Sequence, residues 1–417
     1  MEDLITEWIP FILGLLSVLL CYLYYTYGFN RAPEEIDASP NTDSDDQKPA
    51  EGQPQKPALK LKKLPPQKKK EVKDTYTHPW LLSSLKGHSG EIQDMDFSSN
   101  GKQLGSCASD RAVMLWSVKT FTEKNHRSVR ANIEFDSATR IRWSPDSKAF
   151  IIAMETANTV QVYKVGKKSD GTLGNFEQIL TFPSAHKTNI INIGIACNGH
   201  FIMSCSDDTM IVVWDLKGQK LATIDTLHIN NYYACVSPCG RFIAASGFTP
   251  DVRIWEVCFT KTSEFKEVKR AFELKGHTSG IYHFSFSSDS TRMVTVSKDN
   301  TWKLWDTNIE YSKGQEPYLL KSGTHGINSK CISALSPDGR TIAIATTTAA
   351  DIFLYSAVTG ELQAELKEVH PDPIRSILFS PDGLEEAKKN ANNASMKDRL
   401  QNQIDEAKSV LKTFGKC

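Results

Sequence analysis

The chain carries no phosphate-binding G-x-x-x-x-G-K-[ST] motif, no strand-associated G-x-G-x-x-G and no H-E-x-x-H, so nucleotide chemistry and zinc-hydrolase chemistry lose their usual signatures. Glycine is sparse at 24 of 417 residues, which excludes a collagen-like fibre. There is no net charge: 49 basic and 49 acidic side chains cancel, which argues against a surface built throughout for nucleic acid. The nine cysteines lack clustered spacing, and Cys235 and Cys239 are wrongly spaced for a zinc knuckle. An odd count without a framework reads as free thiols in a reducing compartment. Full disorder is excluded by what is present, because eight Trp, 19 Phe and 12 Tyr supply material for a core.

From Trp8 to Asn30 the sequence has no charged residue. The apolar stretch over 9–27 is long enough, at about 1.5 Å per helical residue, to cross a hydrocarbon layer of roughly 30 Å. Trp8 at one end and Tyr22, Tyr24, Tyr25 and Tyr27 at the other suit the interfaces. The acidic tail before it (Glu2, Asp3, Glu7) and the absence of an A-x-A site favour an uncleaved anchor over a signal peptide. Basic residues follow the span, beginning at Arg31, so the short tail is expected in the lumen or outside and the rest of the chain in the cytosol.

Residues 31–74 carry seven prolines and almost nothing apolar, which predicts a disordered tether with a reach of roughly 35–40 Å. Its lysines (Lys60, Lys62, Lys63, Lys68, Lys69, Lys70 and Lys73) admit three readings: a solvated charge run, attraction to anionic lipid, or contact with RNA.

Between residues 85 and 383 the sequence repeats with a period near 45, the length of a propeller blade. A turn tetrad of the S-P-D-G kind begins at Ser98, Ser144, Ala196, Ser237, Ser287, Ser336 and Ser380. An aromatic closes an apolar run at Trp116, Tyr163, Trp214, Trp255, Trp305 and Tyr355. Short alternating strands bounded by turns predict antiparallel four-stranded sheets.

Three copies share a further constellation. His88, His186 and His277 each precede Asp110, Asp208 and Asp299 by 22 residues, with Trp116, Trp214 and Trp305 six residues beyond the Asp and a hydroxyl (Ser106, Ser204, Thr295) four before it. Three copies at identical spacing with a Trp describe architecture rather than a catalytic triad. The set resembles the hydrogen-bonded tetrad of the WD40 family, and Trp214-Asp215 and Trp305-Asp306 supply its namesake dipeptide. That resemblance implies an all-β, seven-bladed propeller over 75–383 in which Asp orients His and His links the hydroxyl to the Trp N–H. Blades two, four, six and seven depart from the pattern and are expected to lack a complete tetrad.

After Ser380-Pro381-Asp382-Gly383 a helical pattern begins at Leu384 where two further strands are expected, so the last blade should be incomplete. The segment Trp80–Leu85 is expected to supply its outer strand. A C-terminal helix is predicted over 384–417, with Leu400, Ile404, Ala407, Leu411 and Phe414 on one face.

No catalytic, cofactor-binding or metal site is expected. The order of anchor, tether, propeller and terminal helix resembles a membrane-anchored branch of the WD40 family. This implies a non-enzymatic scaffold on the endoplasmic-reticulum membrane, probing the cytosol for protein partners with its propeller faces and terminal helix, in signalling or stress response. An RNA-binding adaptor using the lysine run and propeller loops is the alternative. A ubiquitin-ligase substrate receptor fits less well, because W-D-x-R is absent: the sequences are Trp214-Asp215-Leu216-Lys217 and Trp305-Asp306-Thr307-Asn308. Neither DNA nor a small-molecule substrate is expected.

Overall fold

The structure, a computed structural model, describes residues 81–381 apart from 82, 124, 168–172 and 371, and the backbone of 415–416. The expected anchor, the tether with the seven lysines named above and the terminal helix lie outside the described residues. Among those residues, no helix is long and apolar enough to cross a membrane, and the only helical elements are two single turns at Val118–Thr120 and Tyr311–Lys313.

Six four-stranded antiparallel sheets follow one another along the chain, spanning 92–132, 138–181, 190–225, 231–275, 281–324 and 331–366. They are numbered here as blades 1 to 6. Within each, the strands pair in sequence order, and the first strand of each blade packs against the first strand of the next. The first strands therefore form the inner wall of a propeller.

The repeated tetrad explains the inner turns. In five blades the leading serine hydroxyl accepts the N–H of the second strand's first residue, at 2.9–3.0 Å (Gln103, Ala149, Phe242, Arg292 and Thr341). Where Asp stands third, the same hydroxyl donates to it, as Ser144 does to Asp146 at 2.6 Å. The fourth residue is left-handed in all six blades, at Gly101, Ser147, Gly199, Gly240, Ser290 and Gly339. A left-handed fourth residue favours glycine, and four of the six are glycine.

Inner strands present one unpaired edge, and side chains of the preceding blade satisfy part of it. The N–H groups of Ile141 and Trp143 donate to Asp94 and Asp96 of blade 1, at 3.2 and 2.7 Å. Those of Ser333 and Leu335 donate to His283 Nδ1 and Ser285 Oγ of blade 5, at 3.3 and 3.2 Å. Five of the six inner strands also carry a bulge one residue in, which re-aims Asp94, Arg140, Asn192, Tyr233 and His283. Blade 6 pairs in register.

Seven blades were expected and six are complete. The seventh position holds no four-stranded sheet among the described residues. It holds the segment 373–379, whose Ile374 and Ile377 are buried with Ile352, Leu354 and Leu366 of blade 6. Leu378 packs on the blade 1 side with Leu85, Met95 and Trp116. The described residues supply one inner strand's worth of sequence here and no middle strands. The outer strand expected from Trp80–Leu85 is not seen in the last blade: the strand here, Leu85–Lys86, pairs in parallel with Gly415–Lys416.

Candidate functional site

In blade 1, His88 Nδ1 lies 3.1 Å from Asp110 Oδ1, His88 Nε2 lies 2.8 Å from Ser106 Oγ, and Trp116 Nε1 donates to Ser106 Oγ at 2.9 Å. Blade 5 repeats this, with His277 to Asp299 at 3.0 Å, His277 to Thr295 at 2.8 Å and Trp305 to Thr295 at 3.0 Å. Burial, the largest cause, lowers the pKa of both histidines against the pull of their aspartates. A neutral ring donates from Nδ1 to Asp and accepts the hydroxyl proton at Nε2, and the hydroxyl oxygen takes the indole N–H. The imidazole nitrogens, the hydroxyl and the indole N–H of the tetrad are then all satisfied. Burial raises Asp299, yet the Thr301 hydroxyl, the Thr278 amide and His277 together hold its carboxyl far below the usual range.

Blade 3 differs. His186 Nε2 meets Ser204 at 2.7 Å and Trp214 Nε1 donates to Ser204 at 2.8 Å, but Nδ1 meets Ser206 Oγ at 2.8 Å. Ser206 in turn donates to Asp208 at 2.5 Å. The expected direct pairing of Asp208 with His186 is thus replaced by a serine relay. The position of Ser206, two residues before the Asp, is Ala108 in blade 1 and Ser297 in blade 5, where the hydroxyl turns instead onto the Ser279 and Gly280 carbonyls. The motif spacing alone carries no signal of that choice.

Blades 4 and 6 hold buried histidines that the repeat did not single out. His228 contacts the Thr249 hydroxyl and lies 3.1 Å from the Ala245 carbonyl, and burial pushes it down to about 4. His325 lies 3.2 Å from the Ser297 carbonyl and accepts the Ile327 N–H at 3.1 Å.

Charged groups meet along the inner wall, around a cavity of about 480 Å³. Asp94 pairs with Arg142, which also reaches Asn192 Oδ1 at 3.2 Å, and Asp94 accepts the Ser376 hydroxyl at 3.3 Å. Burial pushes the neighbouring Asp96 up to about 6 despite Arg142. Arg375 pairs with Glu91 at 3.0 Å. These residues escaped the sequence reading. Their signal was present in the alternation of the first two inner strands, where charges at Asp94, Asp96, Arg140 and Arg142 interleave with Met95, Phe97, Ile141 and Trp143.

The family model for the WD domain, G-beta repeat, matches residues 79–117, 176–215 and 268–306, the three copies that carry tetrads. The chain is 44% identical to mouse (Mus musculus) transducin beta-like protein 2 over 395 residues, covering 88% of this chain and 89% of the relative. It is 42% identical to the human (Homo sapiens) protein of that name over 437 residues, covering 97% and 96%. The chain belongs to the transducin beta-like protein 2 family of WD40-repeat proteins. The human alignment runs over more positions, 437, than this chain's 417 residues, so that family member carries residues that this chain lacks. A more distant relative is autophagy-related protein 16 of Arabidopsis thaliana, 25% identical over 72% of this chain and 54% of that protein.

The blade 1 and blade 5 tetrads are closed, buried hydrogen-bond networks within single blades. His277→Ala is expected to cost about 1–3 kcal/mol, since Asp299 and the Trp305 indole N–H lose a buried network. Asp208→Ala should cost less than Asp299→Ala, because Asp208 reaches its histidine only through Ser206. Thermal melts of the three variants test this, and equal losses for the two aspartates would mean that the relay is energetically irrelevant.

Proposed function

We propose that this protein is a non-enzymatic scaffold, anchored through residues 9–27 in the endoplasmic-reticulum membrane, whose cytosolic propeller docks protein partners on the loop face that bears the tetrads. One observation carries the docking reading. Leu227, Ile229 and Phe248, all more than half exposed, stand together on two adjoining loops of that face. The Phe248 N–H donates to the Asn230 carbonyl at 3.1 Å, tying the loops to each other. Gly247 permits the approach, since a Cβ there would lie 2.1 Å from that carbonyl oxygen. Leu227 and Ile229 hold left-handed backbone, uncommon for any residue with a side chain and costly for a β-branched one, to project apolar surface into water. Apolar clusters held out on rigid loops are a usual mark of a protein contact. The anchor and its orientation are supported by the uncharged span and by the charge on either side of it.

The test is proximity labelling from the full chain in cells, comparing wild type with a Leu227→Asp, Ile229→Asp, Phe248→Asp variant, with and without RNase. A set of proteins lost in the variant and insensitive to RNase is expected. Labelling unchanged by the variant would overturn the docking face, and labelling abolished by RNase would favour the RNA adaptor. Asn393-Ala394-Ser395 should stay unglycosylated, and endoglycosidase-sensitive glycan there would reverse the orientation.

A further inference from the structure

The inner wall holds four cations around one cavity, and only two of them have a carboxylate. Arg142 is paired with Asp94, and Arg375 with Glu91. Arg140, on the inner strand of blade 2, donates to the carbonyls of Ile191 and Thr139 at 2.6 and 2.7 Å and has no carboxylate within ion-pair distance among the described residues. Lys330, just before the inner strand of blade 6, likewise has none. The other charged groups near them do not supply the missing charge: Asp94 and Glu91 are already engaged, and Asp96 does not line the cavity. Tyr232 and Tyr282, ring centroids 6.0 Å apart, line the same cavity with His283.

The neighbours register an excess of positive charge. Burial and then Arg140 and Arg375 lower the pKa of Lys330. Burial and then Lys330, Arg142 and Arg140 push His283 down to about 3, so this ring is neutral and adds no charge of its own. Like charges gathered in a partly enclosed space, where screening by solvent is weak, attract a counter-ion that can take hydrogen bonds from both. A guanidinium and an ammonium share one ligand class well. The flat fork of Arg140 has N–H groups beyond the two held by carbonyls, and Lys330 offers three donors, together suiting an oxyanion with several acceptor oxygens.

We propose that the central cavity binds a small multivalent phosphate-type anion between Arg140 and Lys330. The site is independent of which protein docks on the loop face, and a cavity of about 480 Å³ has room for two or three linked phosphates.

Inorganic tripolyphosphate is the probe, titrated calorimetrically into the full chain in metal-free buffer, with sulfate at equal ionic strength for comparison. Saturable one-to-one binding is expected, weakening as salt rises, with sulfate at least about tenfold weaker. Lys330→Gln should fold as wild type does, because its ammonium has no partner to lose, and should weaken tripolyphosphate binding by about tenfold or more. Arg140→Gln combined with Lys330→Gln should abolish it, while Lys217→Gln, on an outer turn, should change nothing. Absence of saturable binding, or binding undiminished in Lys330→Gln and the double variant, would overturn the proposal. So would sulfate binding as tightly as tripolyphosphate.

Discussion

Asp94→Ala is expected to destabilise the propeller by about 3–5 kcal/mol, more than any single tetrad substitution. The carboxylate is almost fully buried and serves three parts of the ring at once. One oxygen meets the Arg142 guanidinium and accepts the Ile141 N–H of blade 2, and the other accepts the Ser376 hydroxyl of the closing segment. Truncation leaves a buried guanidinium without its counter-charge, and that loss exceeds the worth of the pair itself. Asp96 offsets the loss only in part, because burial already opposes its charge. Its sign with pH follows. With a folded pKa of about 6, above the unfolded value near 4, Asp96 adds stability at acid pH and loses it as pH rises through 6. Replacing Asp94 and Arg142 together by Leu and Met should restore most of the loss, since apolar residues of similar volume need no partner. Melting curves for the single and double variants decide it. An Asp94→Ala protein that melts with wild type would show that solvent, not Arg142, compensates this carboxylate.

The blade period, the inner turns and two of the three tetrads were legible because each is local. A serine, a turn former and a left-handed residue within four positions specify their own hydrogen bonds, and the His-to-Asp spacing spans a single blade. What the sequence left unread depends on groups from different blades. Asp94 and Arg142 are 48 residues apart and meet only once blades 1 and 2 are adjacent. The Ser206 relay depends on which of two nearby acceptors His186 Nδ1 faces, and an offset cannot report that. The shortfall at the seventh position was visible as a break in the period. Its consequence was read only in part: an incomplete last blade was expected, but not that residues 373–379 join blades 6 and 1 through side chains outside any sheet. The exposed Leu227, Ile229 and Phe248 also went unmarked, since isolated apolar residues in loops are ordinary until their neighbours in space are known.

That segment should be the weakest joint of the ring. Ile374→Ala with Ile377→Ala is expected to open it, because residues 373–379 join blades 6 and 1 through side chains without belonging to any sheet. Each truncation of a buried isoleucine costs about 2–5 kcal/mol in a rigid core. Here the loss is bounded differently, since the segment can detach once its contacts fall below the entropy of holding it in place. Detachment would bare the facing sides of blades 1 and 6. At about 25 cal/mol per Å², a few hundred Å² of apolar surface corresponds to roughly 5–10 kcal/mol, comparable with the whole stability of a typical domain. Cleavage by a non-specific protease should therefore appear within 373–381 before the blades unfold, and melting should fall well below wild type. Grafting two middle strands after Gly383, so that the segment gains a backbone ladder, should act in the opposite direction on both readouts. Leu378 and the Ser376 hydroxyl, which hold the blade 1 side, stay in place in the double variant. Unchanged cleavage and melting would therefore mean that blade 1 alone retains the segment and that blade 6 contributes little to closing the ring.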